Sequence, residues 1–256
     1  MKGLFQLRWL EAFRFMTAEP GWRRKILVGG LLLLFPPLGW PMALGYRKDV
    51  AFRLIAGMRP VMPEWRGRRL NFAKDGCAAV GVILVWFLPF LIVFWYLALD
   101  DLSAAAAHGP EILMFFVLLP LLVPIFLPLL PPLYFHLFPW IALSAGEQLV
   151  IGFVFWGTTF LMPAAFLQVS LHGRFRAAFR VREVFRLVRR ILRPYLEAWA
   201  LSIAATVLAL GSGPLAPWGI FWSYLVIVHA FNAALSRWDV PAVRSRFGPA
   251  SLFLPG

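Results

Sequence analysis

Apolar positions in this chain fall into long unbroken runs, and polar positions are confined to the stretches between them. Residues 78–99, 149–167, 195–210 and 218–235 read as membrane-crossing helices, which need about 20 mostly apolar residues. The last two form a helical hairpin around Gly211-Ser212-Gly213-Pro214. None of these runs alternates with period two, so a transmembrane barrel does not fit. Two further apolar segments are interrupted by proline: 26–45 at Pro36-Pro37, and 112–143 at six positions from Pro120 to Pro139. Between these lie amphipathic stretches. Residues 1–20 place Phe5, Trp9, Ala12, Phe13 and Met16 on one side and Arg8, Glu11 and Arg14 on the other, which predicts an interfacial helix. Residues 46–58 predict a short amphipathic helix, 60–75 a basic loop, and 171–193 a basic amphipathic helix with Phe175, Phe179, Val184, Val188 and Ile191 on its apolar side.

The fold class expected is therefore all-α: a polytopic transmembrane helical bundle with proline-broken re-entrant elements and interfacial amphipathic helices. It forms a single integral membrane domain over 1–256. Composition agrees, with 61% hydrophobic and 14% charged residues and a mean hydropathy of +0.76, against roughly half and a quarter in soluble domains.

Charge decides between topologies. Of the 25 Lys and Arg, six precede Ile26, eight lie in 46–76, eight in 168–193 and three in the tail from Ser236. If every apolar segment crossed once, the cations would divide 17 to 8 across the membrane. If 26–45 enters and leaves on one side, and 112–143 crosses an even number of times, all 25 fall inside, as the positive-inside rule favours. Geometry points the same way, because 26–35 makes about 15 Å of helix, half a bilayer core. Pro36-Pro37 stops that helix, since proline lacks the N–H and clashes with the preceding turn. The expectation is a re-entrant hairpin at 26–45 with both termini cytoplasmic, in a bacterial cytoplasmic membrane. Arg23-Arg24-Lys25 before an apolar run also has the form of an export signal, but the segment is expected to be retained.

Several motifs resemble one family. Gly21 to Pro37 reads G-W-R-R-K-I-L-V-G-G-L-L-L-L-F-P-P, followed by A-L-G-Y-R-K from Ala43, M-P-E-W from Met62 and Asp75-Gly76. These residues resemble the domain-of-unknown-function family numbered four thousand and thirteen, of bacterial and archaeal membrane proteins, with Met62 where that family commonly has leucine. Residues His172 to Leu196 are similar to its second half. The resemblance implies a membrane fold and no catalytic residue, cofactor or activity.

Candidate chemistry is sparse. Cys77 is the only cysteine, and the four histidines lack metal-ligand spacing, so no metal and no cofactor is expected. The net charge of +13 fits loops facing anionic lipid better than nucleic acid. Intramembrane polar residues are functional candidates by default: Glu147, His136, His229 and Asn232, with interhelical hydrogen bonding as the plain alternative. The sharper signal is Arg174, Arg176, Arg180, Arg182, Arg186, Arg189, Arg190 and Arg193, a candidate surface for anionic lipid or a protein partner. Gly29, Gly30, Pro36, Pro37, Tyr46, Pro63 and Trp65 are expected to be structural, with close helix packing at the glycines and Trp65 at headgroup level. No nucleophile–base pair or phosphate loop is present. The expectation is a non-enzymatic scaffold or accessory subunit. The alternative is a small-solute or lipid transporter built on the re-entrant segments.

Overall fold

The structure is a computed structural model that describes residues 9–98 and 144–236. Among these every regular element is helical: α1 (Trp9–Arg14), α2 (Trp22–Leu33), α3 (Pro36–Ile55), α4 (Arg69–Ala98), α5 (Ala145–His172), α6 (Val181–Arg190), α7 (Leu192–Gly211) and α8 (Ala216–Ser236), with 3-10 turns at Phe175–Phe179 and Gly213–Leu215. Among the described residues four helical stretches are long and apolar enough to cross a membrane: Arg69–Phe90, Ala145–His172, Leu192–Gly211 and Gly213–Leu235. The protein is an all-α polytopic membrane protein. The proline-broken segment 112–143 lies outside the described residues.

The chain divides into two units. The smaller, Val80–Pro163, is held by aromatic edges: Phe87 and Phe90 meet Phe155 at 5.8 and 5.2 Å between ring centroids. The larger comprises Met1–Ala79 and Ala164–Gly256. Its centre is α8, which packs on α7, α2, α3 and α1. Lipid tails are as apolar as leucine, so helices there associate through close packing rather than hydrophobic burial. Small residues supply that closeness: Ala198, Ala205 and Ala209 of α7 and Ala230 and Ala234 of α8 are buried.

Segment 26–45 folds back on itself. Helix α2 ends at Leu33, and α3 begins at Pro36 with proline at its first turn, where no intrahelical N–H is needed. Gly39 lies so close to Leu32 that a methyl group there would overlap the Leu32 carbonyl. Trp40 Nε1 donates to the Leu33 carbonyl at 2.9 Å, satisfying an acceptor that the end of α2 leaves open. The return helix does not stop at residue 45 but continues to Ile55, so the separate helix expected over 46–58 is the second half of α3.

Other boundaries also differ from the hydropathy reading. Helix α4 starts at Arg69 rather than 78, because Arg69, Asn71 and Lys74 are exposed while Phe72 is buried; an amphipathic first turn is helical without being apolar. Helix α1 is described from Trp9; its buried Ala12 and the nearby Met16 face the protein, with Phe13 stacked on Trp222 at 5.1 Å. The helix expected over 171–193 is broken three times, the last at Ile191 between α6 and α7. Gly173 takes a left-handed φ of 67°, and Arg180 is non-helical between the 3-10 turn and α6. Phe179 and Val184 would lie about 140° apart around one helix, so they cannot share a face; the structure buries Val184 and exposes Phe179.

Candidate functional site

Family-like motifs separated along the sequence meet at one buried hub. In α2 the buried residues are Lys25, Gly29, Gly30 and Leu33, the i, i+4 and i+8 spacing of one helix face plus a neighbour. Lys25 is 1% exposed. Its ammonium donates to the Met62 carbonyl at 2.7 Å and pairs with Glu64 at 3.0 Å. Trp65 Nε1 donates to the Lys25 carbonyl at 3.0 Å, and the Tyr46 hydroxyl donates to the Pro63 carbonyl at 3.1 Å. Tyr46 and Trp65 stack at 4.2 Å, Phe72 meets both edge-on, and Phe221 of α8 leans on both. Such ring pairs contribute about 0.5–1.5 kcal/mol each beyond their burial.

Gly29 leaves room for Phe221, and Gly30 for Trp218. Burial, and then the charges of Glu64, Asp49 and Glu19, push the Tyr46 phenol well above its usual range, so it remains a neutral donor. Trp65 is 5% exposed: it is a core residue of this hub and not a headgroup anchor.

A charged layer follows the hub. Lys48 pairs with Asp75 at 2.8 Å. Asp49 accepts from Arg53 Nε at 3.0 Å and from Arg68 Nη1 at 2.8 Å. Gly45 and Gly76 bring α3 and α4 into backbone contact, against the Phe72 and Pro41 carbonyls respectively. The hub and this layer account for the G-Y-R-K, M-P-E-W and D-G motifs as one packing unit.

The arginine surface lies elsewhere on the larger unit. Ala177, Ala178, Val184, Leu187, Val188 and Ile191 are buried, whereas Arg174, Arg176, Arg180, Arg182, Arg186, Arg189, Arg190 and Arg193 are all exposed. Exposed Phe179, Val181 and Phe185 are interleaved with them. Arg180 meets Glu183 at 3.3 Å and Arg193 meets Glu197 at 3.8 Å.

The intramembrane polar candidates are each tied to local partners where they are described. Glu147 accepts from the Ser144 N–H and hydroxyl, both at 2.7 Å, a capping box at the start of α5. The S-A-G-E spacing of Ser144 to Glu147 carries that signal. His229 is stacked on Phe15 at 4.5 Å, and Asn232 Nδ2 donates to the Val228 carbonyl of its own helix at 2.7 Å. Among the described residues, buried His229 Nδ1 and Asn232 Oδ1 have no hydrogen-bond partner. His136 lies outside the described residues. No group of three metal-ligating side chains forms among the described residues.

Hub and spans together define a helical membrane protein organised around a re-folded N-terminal hairpin. The chain belongs to the family described as "Protein of unknown function (DUF4013)", whose sequence model matches residues 28–216. No curated protein and no solved structure matches it.

Proposed function

We propose that this protein is a non-enzymatic scaffold or accessory subunit of the bacterial cytoplasmic membrane. Both termini are cytoplasmic, and the arginine surface engages anionic lipid or an acidic protein partner. The observation that carries this reading is the eight exposed arginines of 174–193, four of them on α6, whose other face is buried. Near an anionic leaflet each such cation contributes about 1 kcal/mol before screening, and Phe179, Val181 and Phe185 supply apolar contact between the charges. The hairpin α2–α3 is read as re-entrant, with its exposed Leu34, Phe35 and Leu38 in the acyl layer of the leaflet that its cations face. Replacing Arg186, Arg189, Arg190 and Arg193 with glutamine tests the reading. Association with anionic lipid should fall more than with neutral lipid, and the deficit should shrink near 1 M salt, where the Debye length is about 3 Å. Equal losses on both lipids would sink it.

A second reading, transport of a small solute or lipid, is favoured by the partnerless His229 Nδ1 and Asn232 Oδ1 in α8, since buried polar groups without partners are rare and ask for an occupant. Solute flux into proteoliposomes that is lost in Asn232→Leu would support it over the scaffold.

A further inference from the structure

Arg47 is the cation of the G-Y-R-K motif that the hub does not use. Its neighbours Lys48 and Asp49 are ion-paired, whereas its guanidinium carbon lies 5.7 Å from the Tyr224 ring centroid and 6.0 Å from that of Phe166. Among the described residues no carboxylate pairs with it and no acceptor receives its N–H groups; the Tyr224 hydroxyl likewise has no hydrogen-bond partner there. Tyr224 is buried and Arg47 half-buried. Enclosure pulls the Arg47 pKa down to about 10, which leaves it charged at neutral pH. A guanidinium in that setting has five donors and two aromatic faces but no counter-charge. Burying a charge without a partner is costly, and the planar fork matches the oxygens of a phosphate.

We propose that Arg47, between Tyr224 and Phe166, is a phosphate-binding site that takes one phosphate group, from an anionic phospholipid headgroup or from free phosphate. The site is independent of the arginine surface. That surface is solvent-exposed and screened by salt, whereas a partly enclosed charge is screened much less, so the two readings fail separately.

The test is native mass spectrometry of the full chain in mild detergent at high salt, with phosphatidylglycerol or diacylglycerol, which lacks the phosphate, added. Wild type should retain one phosphatidylglycerol and no diacylglycerol. Arg47→Gln should weaken that retention about tenfold or more, the value of one charge-assisted contact. Arg47→Lys keeps the charge and loses the fork, so it should fall between; should the glutamine variant aggregate, the lysine variant carries the comparison. The variant lacking Arg186, Arg189, Arg190 and Arg193 should retain the lipid as wild type does. A second arm adds inorganic phosphate. Displacement of the lipid at millimolar phosphate, or phosphate retention without lipid, assigns the site to the free ion. Equal retention of both lipids, or retention unchanged in Arg47→Gln and Arg47→Lys, would overturn the proposal, as would failure of wild type to hold either lipid or phosphate.

Discussion

Lys25 and Trp65 are locked together across forty residues: the indole N–H of Trp65 donates to the Lys25 carbonyl at 3.0 Å, and the Lys25 ammonium reaches back to Met62, three residues before the indole. The two ends of this lock are unequal. Lys25 is fully buried, while the Glu64 side chain is 66% exposed, so water can replace Glu64 but nothing can replace Lys25. Lys25→Met leaves the Met62 carbonyl without its donor and should cost about 1.5–3 kcal/mol, as for a charged hydrogen bond. Glu64→Gln should cost little, because exposed ion pairs contribute about 0–1 kcal/mol. Unfolding midpoints in detergent check the asymmetry. Equal midpoints for the two variants would show that the ion pair, and not the buried carbonyl contact, holds the turn.

The hub explains what was legible in the sequence and what was not. Run length alone located the four spans, because an apolar helix is recognisable wherever 20 residues avoid charge. The proline break located the hairpin turn. Lys25 was counted only as one of the cations flanking an apolar run, yet its four-residue spacing from Gly29 already placed it on the face that glycine packs. Trp65 was misplaced for a related reason. A tryptophan in a basic loop reads as interfacial, and its burial depends on Tyr46 and Phe221, whose nearness is tertiary information. The division of 171–193 depends on a left-handed glycine at 173 and on non-helical backbone at Arg180 and Ile191, which hydrophobic spacing does not record. His136 and 112–143 lie outside the described residues, so those readings stand as expectations.

Close backbone contact should make two glycines irreplaceable. A methyl group at Gly45 would overlap the Phe72 carbonyl, and one at Gly76 the Pro41 carbonyl; in both cases the obstacle is main chain, which cannot rotate away. Gly45→Ala and Gly76→Ala should each lower the yield of monodisperse protein sharply. Gly81→Ala meets nothing within 4 Å and should be neutral, or stabilising by up to about 1 kcal/mol through helix propensity. Size-exclusion profiles of the three variants decide it; normal profiles for Gly45→Ala and Gly76→Ala would mean that α3 and α4 are not in backbone contact.

Topology can be read by labelling in intact cells. Pro60 and Arg176 are exposed, whereas Ser170 is buried and bonded within its own helix, so the first two are the useful positions. With the exposed Cys77 changed to serine, Pro60→Cys and Arg176→Cys should resist an impermeant maleimide added outside and react after permeabilisation. Labelling of either in intact cells would place that segment outside and end the all-cytoplasmic arrangement of cations.

The last prediction concerns the hairpin turn. Lys25 and Tyr46 both touch Trp65, Lys25 by hydrogen bond and Tyr46 by stacking, although a straight helix would hold them about 30 Å apart. The reversal at Leu34–Phe35 is therefore what brings the hub together, and Gly39 against Leu32 is what lets it close. Changing Phe35, Pro36, Pro37 and Gly39 to leucine removes the helix stop and fills the space at Gly39. Residues 26–45 would then form about 30 Å of continuous apolar helix, enough to span. A span there must send one flank outward. The six cations before Ile26 resist translocation less than the eight in 46–76, so a reporter at the N-terminus should move from cytoplasm to exterior. With Lys25 carried away from Met62, the hub is lost as well, and the alternative outcome is degradation. Normal abundance with a cytoplasmic N-terminus and an intact Lys25–Met62 contact would show that neither the proline break nor the space at Gly39 is needed for the reversal.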